Sequence, residues 1–167
     1  MASTESLPHI ARLQQESQSL MLATQASNHE PHISYAPFVE SEGVFYIFVS
    51  GLAAHTKHLL EHRRGQVMLI DDESKSRNIF ARMRLIYDVE AHVLARTHEQ
   101  FNEVAQAMRE RHGSTVEVLM SLNDFVMFAL KPQKGTLVTG FGQAYVFEPG
   151  ALAEAVQLTD KNIEEYR

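Results

Sequence analysis

The chain has no cysteine among its 167 residues. Disulfides, thiolate nucleophiles and Cys-ligated metals are therefore excluded. Positive charge is not in excess: 15 Lys and Arg stand against 21 Asp and Glu, a formal net charge of −6. That balance argues against nucleic acid as the main partner. No apolar run approaches the roughly 20 residues of a membrane helix. The opening "MASTESLPHIARLQQ" has no apolar core of the secretory type. The expectation is a cytoplasmic protein without a membrane partner. Repeats, low-complexity segments and interdomain linkers are missing too. So are the GxxxxGK[ST] phosphate loop, a complete GxGxxG fingerprint and the GxSxG nucleophile elbow.

What is present describes a folded domain. Hydrophobic residues make up 44% and charged residues 22%, and the length suits a single domain over 1–167. Residues 5–17 read as a helix with Ile10 and Leu13 facing inward. Residues 19–25 and 32–39 read as strands around "ASNHEP", with Pro37 demanding an edge or a bulge. "VFYIFV", 44–49, is apolar on both faces, which suggests a barrel wall covered on its outside, for instance by a second subunit. A short helix over 53–62 and a strand over 66–71 follow.

"NIFARMRLIYDVEAHV", 78–93, alternates apolar and largely charged residues with period two. A straight strand of that length would span roughly 50 Å, so it must coil or bend as barrel strands do. Between 98 and 112 the period becomes helical, with Phe101, Val104, Ala105, Met108 and His112 on one face. A second short helix is expected over 114–122. "DFVMFAL" and "TLVTGFG" suggest a hairpin around "KPQKG", "QAYVF" adds a strand, and 149–167 forms a short helix and a polar end. Seven or eight strands with three or four helices favour a mainly antiparallel β-barrel with peripheral helices.

Four stretches could carry chemistry. "SGLAAHTKHL", 50–59, places a Gly break and then a helix start with Thr56 and Lys57 after a strand. Such a helix start suits an anion, and its bland alternative is a plain connection with a solvated Lys57. Arg82 and Arg84, two apart on the long strand, could fork a phosphate or a ring carbonyl, or simply pair with Asp88 and Glu90. "TGFGQAY", 139–145, marks a bend or a close backbone approach. "HLLEH", 58–62, matches a zinc-peptidase pattern. With nine His in the chain, we read His55, His58 and His62 instead as a polar helix face. Asp124 opens the strand "NDFVMFAL", where capping the preceding helix is its ordinary role.

The stretches "ISYAPFV", "FARMRL", "NDFVMF" and "GFGQAY", in this order and spacing, resemble the HutZ/HugZ proteins of the pyridoxamine 5′-phosphate oxidase-like, FMN-binding split-barrel superfamily. The resemblance covers roughly residues 10–148. It implies an antiparallel split barrel that forms a homodimer, with a small-molecule ligand at the subunit interface. By analogy His55, Thr56 and Lys57 would meet an FMN phosphate, with Ser34, Ser50, Arg82, Arg84, Gly142 and Gln143 around the cofactor. His55 stands where the oxidase motif has a Lys. The haem-utilisation branch implies something else: haem held by a tail His, with an acidic residue at Asp124 bonded to it. No His follows Tyr145 here, and Asn162 lies near the expected place. If haem binds, His55 is the candidate ligand and Asp124 its support. The leading expectation is an FMN-dependent oxidoreductase. Haem binding or degradation is the alternative, and a non-catalytic dimeric binding protein the second.

Overall fold

Eight strands and four α-helices make up the computed structural model, which describes residues 3–166. In chain order they are α1 (Ser3–Glu16), β1 (Ser19–Gln25), β2 (Pro31–Ser41), β3 (Val44–Ser50), α2 (Ala54–His62), β4 (Arg64–Ile70), β5 (Arg84–Val93), α3 (Phe101–His112), α4 (Thr115–Met120), β6 (Phe125–Gly140), β7 (Gln143–Phe147) and β8 (Val156–Gln157). The sheet runs β3-β2-β1-β4-β5-β6-β7-β8, and β3 also pairs with β6, so the first six strands close into a barrel. Glu42 and Gly43, both at positive φ (51° and 79°), join β2 to β3. Two positive φ values in a two-residue loop match the strand twist of a tight hairpin. The chain falls into two compact units.

One unit comprises Gln18–Val67 and Val89–Pro132. Its core answers why "VFYIFV" is apolar throughout. Phe45 and Ile47 are fully buried, with the Phe45 ring 5.5 Å from that of Phe38. Tyr46 and Phe48 belong to a second cluster with Phe101, Val104, Ala105 and Met108 of α3 and Val116 of α4. The layer that covers the second face of β3 thus comes from the same chain, not from another subunit. An amphipathic helix can supply that cover without a partner.

The other unit comprises Met1–Ser17, Met68–Asp88 and Gln133–Arg167. Ile10 and Leu13 of α1 are buried. Phe147 on β7 pairs with Gly135 on β6 and its ring occupies the space a Cβ there would need. Tyr87 meets the same ring edge-on at 5.8 Å.

Three expectations are corrected. The alternation over 78–93 does not make one long strand. The Asn78 side chain accepts from the Phe80 N–H and opens a 3-10 turn over Ile79–Ala81, and β5 begins only at Arg84. Short polar side chains compete for local backbone groups in this way. "KPQKG" is not a hairpin loop but the middle of β6. Pro132, which has no N–H to give, falls between the ladder to β3 (Phe125–Leu130) and the ladder to β7 (Gly135–Gly140). The turn instead lies at Phe141 and Gly142, the latter at φ 69°. The tail forms 3-10 turns and the short strand β8, Val156 pairing with Val146.

Candidate functional site

A cavity of about 550 Å³ opens in the first unit, among the middle of β2, the end of β3, the start of α2, the end of α3 and one face of α4. Phe48, Val49, Met108, Val116, Leu119 and Phe125 make its wall largely apolar. Ser50, His55, His112 and Thr115 are the polar side chains with a place in that lining, beside Tyr35. A mostly apolar pocket with a few placed polar groups is the usual form of a small-molecule site.

The segment from Ser50 to Thr56 is tied down by its own short side chains. The Ser50 hydroxyl donates to Asp124 Oδ2 (2.8 Å) and accepts from the Leu52 N–H (3.1 Å). The Gly51 N–H donates to the Asp124 carbonyl (2.7 Å). Thr56, fully buried, donates its hydroxyl to the Ser50 carbonyl (2.6 Å). Asp124 is in turn carried by a segment that Arg96 grips. Its guanidinium donates to the carbonyls of Met120 and Leu122 (2.7 Å each) and lies over the rings of Phe48 and Phe101. A planar fork can bridge two carbonyls at once.

The histidines have diverse settings. His58 is buried, and its Nδ1 shares a 2.9 Å hydrogen bond with the Thr24 hydroxyl while its ring meets that of His32 edge-on. The expected polar helix face is therefore corrected at this position: α2 turns His58 inward, toward β1 and β2. His62 sits 4.0 Å from Glu61. Among the described residues no group of three His, Asp or Glu is arranged to hold a metal ion. His55 lines the cavity, and its Nε2 is buried without a hydrogen-bond partner. Burial, and after it the neighbouring His32 and His58, hold the His55 pKa below the ordinary 6.5. That shift favours the neutral ring, the form that ligates metals.

The anticipated site residues divide between the two units. Ser50 and His55 line the cavity, and Thr56 supports its rim from within. Lys57 is exposed and 3.8 Å from Glu61. Ser34, on β2, makes a long 3.4 Å bond to the Leu22 carbonyl. Arg82, Arg84, Gly142 and Gln143 belong to the other unit. There Arg82 donates to the Asp71 carbonyl and pairs with Glu73, and Arg84 donates to the Arg82 carbonyl. The two arginines do not share a strand face, since Arg82 precedes β5. Gln143 accepts from the Thr139 hydroxyl, and the Gly142 carbonyl accepts from Gln157. The Asn162 amide is engaged inside the tail, with Gln157 and Thr159. His112, Arg96 and the α4 wall were not anticipated as site residues. The available signal was a histidine ending an otherwise apolar helix face.

The sequence profile of pyridoxamine 5′-phosphate oxidase matches residues 7–139. Haem oxygenase HutZ of Vibrio cholerae serotype O1 is 36% identical over 153 residues, spanning 92% of this chain and 87% of HutZ. The crystal structure of HutZ, described as a haem storage protein, aligns with a TM-score of 0.72 and 33% identity over 84% of this chain and 92% of HutZ. ChuZ of Campylobacter jejuni aligns with a TM-score of 0.82 and 29% identity, covering 93% of this chain but only 63% of ChuZ. The expectation that put FMN-dependent oxidoreduction first is thereby corrected. The relative that matches most of the chain at substantial identity carries haem, not flavin, in its name.

Proposed function

The chain belongs to the pyridoxamine 5′-phosphate oxidase family, and from that premise we propose that it is a haem-binding protein of the HutZ type, with haem degradation as its activity. One observation carries the reading: His55 lines a largely apolar cavity, and its Nε2 is buried without a hydrogen-bond partner. An unsatisfied buried nitrogen is costly unless a ligand completes it. A metal held by protein groups alone would need three or more side chains. A metal that arrives already held by a porphyrin would need only one or two. The donor set found here suits the second kind.

When bound, haem would supply an iron centre that accepts imidazole nitrogen and reacts with oxygen. The protein's part is to bury the ring, present His55 and hold Asp124 on Ser50 at the cavity rim. We also propose the homodimer. Support comes from an exposed apolar strip on β1 and β2, where Met21 pairs with Tyr35 and Ala23 with Ile33; Tyr35 and Ile33 are 64% and 67% exposed.

The test is a haem titration followed by absorbance, with wild type and His55→Ala side by side and FMN as a second ligand. A saturable, stoichiometric Soret band that His55→Ala weakens or shifts is expected, and loss of that band under reductant and oxygen would report degradation. Saturable FMN binding with no haem binding would sink the reading.

A further inference from the structure

A second imidazole lines the same cavity, anchored in another way. His112 is the last residue of α3, and its Nε2 lies 2.9 Å from the carbonyl oxygen of Phe38 on β2. A carbonyl oxygen only accepts, so Nε2 carries a proton, and the lone pair of the neutral ring falls on Nδ1. Among the described residues Nδ1 has no partner. The guanidinium of Arg111 lies 5.2 Å from the centre of the Phe38 ring, so two successive side chains fasten the end of α3 to one residue of β2. Gly113, at φ 78°, then ends the helix.

Backbone anchoring of one ring nitrogen is what orients metal-ligating histidines and raises the basicity of the other nitrogen. The cavity wall at that end of α3 and along α4 includes Met108, Val116 and Leu119, with the Thr115 hydroxyl as its polar member. A ligand that engages Nδ1 supplies either a hydrogen-bond donor or a Lewis acid. The ionised carboxylates of a porphyrin are acceptors only. Its metal is the Lewis acid.

We propose that His112 is a metal-directed binding residue of this cavity, whose Nδ1 engages the iron centre as a second imidazole beside His55 and makes the site discriminate iron porphyrin from the metal-free ring. The proposal rests on the haem reading and assigns to His112 a role separable from packing.

Ferric protoporphyrin and metal-free protoporphyrin are titrated into wild type and His112→Gln. Gln can still donate to the Phe38 carbonyl but has no imidazole lone pair. The expected result is a loss of about ten- to a hundredfold in affinity for the ferric ring, the scale on which metal-site residues act. The electron paramagnetic resonance signal should shift from low to high spin, and affinity for the metal-free ring should stay unchanged. Equal weakening of both rings, or an unaltered ferric complex, overturns the role of His112 and leaves the haem reading standing. Wild type that binds neither ring overturns both. Should His112→Gln fail to fold, nitrogen NMR of the wild type decides. A shift of His112 Nδ1 with diamagnetic gallium protoporphyrin but not with the metal-free ring supports the proposal, and no shift overturns it.

Discussion

The Ser50 hydroxyl and the Asp124 carboxylate, 74 positions apart in sequence, meet at 2.8 Å and join the end of β3 to the start of β6. The backbone repeats the link, Gly51 N–H to the Asp124 carbonyl. One residue thus holds the cavity rim through both its side chain and its main chain. Ser50→Ala should cost about 0.5–1.5 kcal/mol, the worth of a typical hydrogen bond, read from urea unfolding. It should also weaken haem binding, because the rim loses its hold on Asp124. A variant with wild-type stability and affinity would show the contact to be idle.

Gly51 is chosen by space. A Cβ built there would stand 2.7 Å from the Asp124 carbonyl oxygen, a backbone atom that cannot swing aside. Gly51→Ala should therefore force the two segments apart and cost about 1–3 kcal/mol, the range of overpacked sites. Hydrogen exchange at residue 51 should accelerate in the same variant. An unchanged melting temperature would contradict the geometry.

Arg96 should not tolerate Lys. A single ammonium on a flexible stem cannot reproduce a planar fork on two carbonyls. Arg96→Lys and Arg96→Ala should both loosen residues 120–124, seen as faster amide exchange there, while exchange at Met127 and Phe128 in the buried part of β6 stays slow. Uniform acceleration across the unit would instead mark Arg96 as a general stabiliser.

Acid should destabilise the ligand-free protein in a window set by His58. Its pKa lies below the ordinary 6.5, first through burial and next through His32, with His62 and Lys57 adding to the repulsion and Glu61 opposing it. The unfolded chain then binds a proton that the folded one refuses. The stability this group contributes is complete above about pH 6.5, the unfolded pKa, and is lost as pH falls from there toward the depressed folded value. Melting temperatures of wild type and His58→Gln, measured from neutral pH to pH 5, should converge as pH drops, because the variant has no such proton to gain. Parallel curves would refute the assignment.

Much of the architecture was legible in local patterns. β1 begins and ends where the alternation of 19–25 does, and α3 buries the apolar face read from Phe101, Val104, Ala105 and Met108. The misreadings arose where a local signal competed with a nonlocal one. Asn78 stole a backbone N–H and cut short an alternating run, and Pro132 looked like a turn because its place between two ladders is invisible in one dimension. The order and spacing of four short stretches identified the family, yet put FMN ahead of haem, an order that the similarity to HutZ does not support.

The sequence by itself determined most of the element types, the antiparallel barrel, the absence of thiol chemistry and the Ser50-to-Lys57 segment as a place to look. These follow from side-chain periodicity and residue chemistry, which act over a few positions. Only the tertiary structure decided that α3 and α4, not a second subunit, cover β3, and that Thr56 and Arg82 spend their polar groups on backbone carbonyls. It alone placed His112 beside His55 in one apolar cavity. Those outcomes depend on which distant carbonyl or ring a side chain finds once the chain has closed on itself, and no periodicity in the sequence encodes that partner.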